Sequence, residues 1–197
     1  MKLKEYFLRT PATLTLIVIN ILIFIALNVS SDLIDIFLLD PDLNNIMNRP
    51  WTLLTVFFSH EIHIHILLNL LLIFVFGTQL EMVTNKKMMF LTYILSGFIG
   101  NLAILAYAPL IGYSDGPIAG ASAAAFGIVA VYGTIKPNNI ILKSKSKYWV
   151  LALFIVNAIL TIQNPEVSIG GPAHATGIVV GLFLGYWYKK RFGVIEV

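Results

Sequence analysis

Apolar runs separated by short charged or Pro/Gly-containing segments recur along the whole chain, at residues 14–27, 64–82, 88–107, 122–135, 148–162 and 174–188. Runs of this kind predict membrane-crossing helices. The expected architecture is therefore an all-α membrane protein, a single domain over residues 1–197 built as a six-helix bundle with both termini on one side. The segment 28–63 is too apolar for a solvated loop, with Leu33, Ile34, Ile36, Phe37, Leu38, Leu39, then Trp51, Leu53, Leu54, Val56, Phe57 and Phe58. Neither of its runs is long enough to span. Short helices lying in the outer interface, or an ordinary packed loop, are expected there.

Composition agrees with lipid as the solvent: 58% of residues are hydrophobic and 12% charged, against about a quarter charged in soluble domains. Charge then sets orientation, because Lys and Arg are retained on the cytoplasmic face. With the N-terminus inside, Lys2, Lys4, Arg9, Lys86, Lys87, Lys136, Lys143, Lys145, Lys147, Lys189, Lys190 and Arg191 fall on the inner side and Arg49 on the outer. A wrong span count would have scrambled that division. Tyr148, Trp149, Trp187 and Tyr188 stand beside the inner lysines, where an aromatic belt belongs. The pI of about 9.1 thus reflects topology and anionic inner-leaflet lipid, with no need for nucleic acid. The expected location is the cell membrane, multi-pass, with cytoplasmic termini. The apolar run after Lys2 and Lys4 reads as a retained first helix, since no small-residue cleavage pattern comes after Leu27.

There is no cysteine, so any nucleophile is a hydroxyl or a carboxylate. Ser122 stands out by depth. Fourteen residues separate it from the inner anchor Lys136, about 21 Å of helix against a hydrocarbon core of about 30 Å. Ser122 is then sunk roughly 10 Å below the outer boundary, and the Gly/Pro-containing segment before it must dip in to meet it. Non-helical backbone at that depth needs protein or water around it, which implies a wet cavity opening outward. His174, fifteen residues before Lys189, comes out level with Ser122 by the same rise. Each is expected to begin a helix after a Gly/Pro loop.

His65 and Asn69 share one face near the outer end of the second helix. Two readings stand: an interhelical hydrogen bond that aids packing, or donors aimed at an oxyanion together with the unpaired backbone N–H groups at the Ser122 helix start. His60, Glu61, His63 and His65 invite zinc, but the segment is one residue short of His-Glu-x-x-His; no metal and no other cofactor is expected. Gly177, Gly181 and Gly185 form a small face for close helix approach, and Gly97 and Gly100 are read the same way. Glu81 is read as a hydrogen-bonding group for an inner loop.

Three blocks of the chain resemble the rhomboid serine proteases. The first is Phe58-Ser59-His60 with His65 through Asn69 and Gly77 through Glu81, the second Gly120-Ala121-Ser122-Ala123 through Gly127, the third Ala173-His174-Ala175-Thr176-Gly177 with Gly181 and Gly185 after it. The resemblance as a whole extends from Trp51 to Tyr186. The resemblance implies a Ser122/His174 dyad without an acidic third member. It also implies Phe126 packed on the histidine, Gly120 shaping the nucleophile loop, and cleavage of other proteins' transmembrane segments near the outer face, with membrane lipid as the surround. Two positions depart from the family pattern: Ala123 replaces the glycine that usually comes after the nucleophile, and Thr52 stands after Trp51 where arginine is frequent. A catalytically silent relative that binds membrane helices is the alternative, with Ala123 its support. A transporter or channel would want further ionisable groups at mid-membrane, and apart from the candidate site and Glu81 the sequence has none.

Overall fold

The computed structural model describes residues 7–193 and is predominantly helical. Its principal helices are α1 (Pro11–Val29), α2 (His63–Val83), α3 (Lys86–Ile111), α4 (Ser122–Ile135), α5 (Ser146–Gln163) and α6 (Gly171–Phe192). Of these, α1, α2, α3 and α5 are long and apolar enough to cross a membrane. α4 is apolar but has 14 residues, and α6 has 22 with Lys189, Lys190 and Arg191 in its last turn. Lys2 and Lys4, assigned above to the inner face, lie outside the described residues.

α4 is the axis of the fold. All of its residues but Ser122, Phe126 and Thr134 are buried, as expected of a helix apolar on every side. α5 is the reverse case: it turns Leu151, Phe154, Ile155, Val156, Ile159 and Leu160 outward, the face a lipid-contacting helix presents.

The contact between α4 and α6 is made by glycines. A Cβ on Gly177 would stand 2.3 Å from the Ala123 carbonyl oxygen, one on Gly181 2.4 Å from that of Gly127, and one on Gly185 3.0 Å from that of Val131. Both helices advance by four residues between contacts, so the two backbones stay in register along one seam. On α3, Gly100 faces Ala123 and Ala173, whereas Gly97 faces the Phe57 ring of the outer segment and leaves room for an aromatic rather than for a neighbouring helix.

Two polar ties fix the rest. Glu81 differs from its sequence reading: it serves the start of α1 and not an inner loop. Its carboxylate accepts from the backbone N–H groups of Ala12 and Thr13 and from the Thr13 hydroxyl, each at 2.8 Å. These are orphan donors of the first helical turn, where Pro11 already removes another. A π-turn at Ile73–Gly77 inserts one residue into α2 and rotates the remainder of that helix by about 100°, turning Glu81 relative to the face that carries His65 and Asn69. The second tie joins α1, α3 and the outer segment: Asn20 Nδ2 donates to the Tyr93 hydroxyl at 2.9 Å, and that hydroxyl donates to the Phe57 carbonyl at 2.5 Å.

Residues 31–58 hold short helical turns at Ser31–Leu33, Ile34–Phe37, Leu43–Asn48, Thr52–Thr55 and Val56–Phe58. Asp42 caps the third of them, accepting from the backbone of Asn44 and Asn45. Leu39 and Phe57 are fully buried, so the segment packs into the bundle. Leu39 and Ile118 exchange backbone hydrogen bonds of 3.0 and 2.8 Å, which pins the chain entering α4.

Candidate active site

The approach to α4 is shaped around a histidine. Gly120 has φ of +147°, backbone that favours glycine, and a Cβ there would lie 2.5 Å from His65 Cε1. The Gly120 N–H is held by the Val56 carbonyl at 3.3 Å. Two residues on, Ser122 opens the helix, leaving its N–H without a partner inside it.

His174 stands one turn inside α6, and the sequence expectation that it begins the helix is corrected. The helix begins at Gly171 because Pro172, whose ring fixes φ and whose missing N–H costs nothing in a first turn, starts the helix instead of breaking the chain before it. From there His174 Nε2 lies 2.6 Å from Ser122 Oγ. The other ring nitrogen, Nδ1, lies 2.8 Å from Asn157 Oδ1 on α5. Asn157 Nδ2 in turn donates to the Gly171 carbonyl at 2.9 Å, so the amide presents its oxygen to the ring. Phe126, one turn below Ser122, packs on the imidazole with centroids 4.7 Å apart and planes inclined by 35°.

Asn157 is absent from the sequence reading. A single carboxamide within the apolar run 148–162 carries the signal that would have found it, because polar groups at membrane depth are costly and have partners or purposes.

His65 and Asn69 are placed differently from one another. His65 is in the wall of a cavity of about 380 Å³ that also includes Ser122, Ala123, Asn157 and His174. Asn69 is buried and is not in that wall; one hydrogen of its Nδ2 is committed to His60 Nε2 at 3.1 Å. The same Nε2 accepts the Ala121 N–H at 3.3 Å. His60 and His65 meet edge to face at 5.2 Å, and His63 faces Phe24 instead. Ala123 also finds its place: a methyl on Gly100 would meet the Ala123 methyl at 2.7 Å, so the glycine on α3 makes room for the side chain on α4.

His60 lies outside the long helices and is fully buried. Two donors on Nε2 require a lone pair there and the proton on Nδ1. Burial, and secondarily the neighbouring His65, lowers its pKa from 6.5 to about 3. Between those values the unfolded chain binds a proton that the folded chain does not, so this contribution is full above about pH 6.5 and is lost as pH falls. Thermal unfolding in detergent is expected to show stability dropping below pH 6.5 with a slope reaching about 1.4 kcal/mol per pH unit from this group. His60→Gln should flatten that slope by one proton, and an unchanged slope would show that the ring titrates freely.

The helices define a multi-pass membrane protein. A family model described as the Rhomboid domain matches residues 47–191, so the chain belongs to the rhomboid family. It is also 30% identical over 138 residues to the Bacillus subtilis (strain 168) protein named "Putative rhomboid protease YdcA"; the matched stretch is 69% of this chain, and the chain spans 66% of that relative's length.

Proposed function

We propose that the protein is an intramembrane serine endopeptidase that cleaves transmembrane segments of other membrane proteins near the outer face. The observation that carries this reading is the 2.6 Å approach of Ser122 Oγ to His174 Nε2 at the wall of a cavity. In this reading all six helices span, the termini are cytoplasmic, and the cavity admits water from outside to a nucleophile below the membrane surface.

His174 Nε2 takes the Ser122 proton as Oγ attacks a substrate carbonyl carbon, forming a tetrahedral oxyanion. The same proton passes to the leaving amine, the C–N bond breaks, and Ser122 holds the acyl group until water, deprotonated by His174, releases it. The Ser122 N–H and His65 are the oxyanion donors at the cavity wall, the kind of contribution worth about 10²–10³ in rate per donor. Asn69, outside that wall, acts on the same site through His60, which holds the Ala121 N–H beside the nucleophile. Gly120, Gly177 and Gly181 supply close approach: the first lets His65 reach the loop, the others bring α6 onto α4. A substrate helix has its backbone groups satisfied, so segments with Gly, Pro or polar residues near their outer end, which unwind at least cost, are the expected substrates.

Labelling of the detergent-solubilised chain with a fluorophosphonate tests this directly. The native chain should label at Ser122, and Ser122→Ala and His174→Ala should not. Labelling that survives Ser122→Ala, or a native chain that never labels, would remove the protease reading.

A further inference from the structure

We infer that Asn157 is a positioning residue of the catalytic group, fixing by hydrogen bond which nitrogen of His174 faces the nucleophile. The inference rests on the protease reading for its consequence in rate, and on geometry alone for the hydrogen bond.

A general base must present a lone pair to the proton it takes. Neutral imidazole has one N–H and one lone pair, and the partner of one nitrogen decides the role of the other. Asn157 Oδ1, 2.8 Å from His174 Nδ1, is an acceptor only, so it requires the proton on Nδ1. That leaves Nε2 bare toward Ser122 Oγ at 2.6 Å. With the amide reversed, its NH₂ would face Nδ1 and favour the tautomer in which Nε2 is blocked. The reversal is opposed because Nδ2 already donates to the Gly171 carbonyl at 2.9 Å, three residues before His174 on the same helix. The one side chain thus ties the start of α6 to α5 and sets the proton on the ring that α6 carries. Stacking on Phe126 holds the plane of the ring but cannot choose between its nitrogens.

A neutral amide also differs from a carboxylate in what it does once the ring is charged. It accepts from Nδ1–H before and after proton transfer without contributing a full charge, so the dyad is oriented without a buried anion at membrane depth. The groups facing His174 from the surrounding elements are Ser122 on α4, His65 on α2 and Asn157 on α5, with Glu61 of the outer segment in the same cavity wall.

The test separates orientation from packing with two variants. Asn157→Leu removes both hydrogen bonds; Asn157→Asp keeps an acceptor for Nδ1 and loses the donor to Gly171. Fluorophosphonate labelling and cleavage of a transmembrane substrate in liposomes should slow about 10–100-fold in Asn157→Leu, by analogy with the loss on removing the partner that orients a metal-bound histidine, with the change in kcat and little in KM. Asn157→Asp should recover most of the rate and move the acid limb of the pH profile to higher pH, because a carboxylate favours the charged ring. Nitrogen-15 NMR of histidine-labelled native protein should show His174 protonated at Nδ1, and a mixture of tautomers in Asn157→Leu.

Native labelling rate in a folded Asn157→Leu, or Asn157→Asp as slow as Asn157→Leu, would overturn the inference and leave the protease reading standing; the second result would assign Asn157 to the Gly171 tie. Should Asn157→Leu fail to fold, Asn157→Asp and the native tautomer decide. A native chain that does not label removes the protease reading, and the tautomer measurement still decides the hydrogen bond: Nδ1–H supports it, Nε2–H or a mixture overturns it.

Discussion

Ser122→Ala, His174→Ala and the double variant are expected to lose the same factor in cleavage rate, at least about 10³, and not the product of two factors. The reason is that hydroxyl and imidazole act as one unit. Without Nε2 there is no group 2.6 Å from Oγ to take its proton, and a neutral hydroxyl at pH 7 is a poor nucleophile. Without Oγ, the base has nothing to activate. What remains in either single variant is binding and the oxyanion donors, which both variants retain and the double variant retains too. The measurement is turnover of a transmembrane substrate reconstituted in liposomes, native against the three variants, with thermal unfolding alongside to show that each is folded. His174→Ala retaining a tenth or more of native turnover would mean that the 2.6 Å contact is not the catalytic one, and multiplying losses would mean that the two groups act in separate steps.

Much of this arrangement is legible in the chain because lipid is an unforgiving solvent. Apolar length and lysine placement carry the expected orientation, and the shortness of the run 122–135 carries the expectation that Ser122 lies level with His174, without any knowledge of the fold. What stays hidden depends on which side chain meets which. Asn157 and Asn20 both lie inside apolar runs, where nothing in the sequence names the Gly171 carbonyl with the His174 ring, or the Tyr93 hydroxyl, as their partners. Glu81 is recognisable as a group that needs hydrogen bonds, but its donors lie at Ala12 and Thr13, far back along the chain, and the π-turn that turns its part of the helix leaves no mark in hydrophobic periodicity. Gly170-Gly171-Pro172 reads as a break because glycine and proline usually end helices; here the proline sits where a helix begins, and His174 moves one turn inward. His65 and Asn69 share a helical face, yet one lines the cavity and the other holds His60, a division that the four-residue spacing cannot express.

Gly177→Val is expected to unfold the protein or abolish its activity, and Gly177→Ala to lower its stability by about 1–3 kcal/mol, the usual cost of overpacking a filled interior. The first atom of any side chain at this position would stand 2.3 Å from the Ala123 carbonyl oxygen and 3.0 Å from its carbon. Both are backbone atoms of α4, so no rotamer change can relieve the overlap and the helices themselves must part. Parting costs more than local packing. Ser122 precedes Ala123 on one helix and His174 lies three residues before Gly177 on the other, so an opening of about 1 Å at this contact is transmitted to the Oγ···Nε2 pair, where misplacement on that scale can cost about 10²-fold in rate. Gly177→Ala should therefore lose activity beyond what its unfolding temperature explains, while Val179→Ala, on the exposed side of the same helix, should change neither. Thermal unfolding and liposome cleavage measured on all three variants decide the matter: a stable, fully active Gly177→Ala would show that α4 and α6 do not approach closely enough for the glycine seam to hold the two reacting groups together.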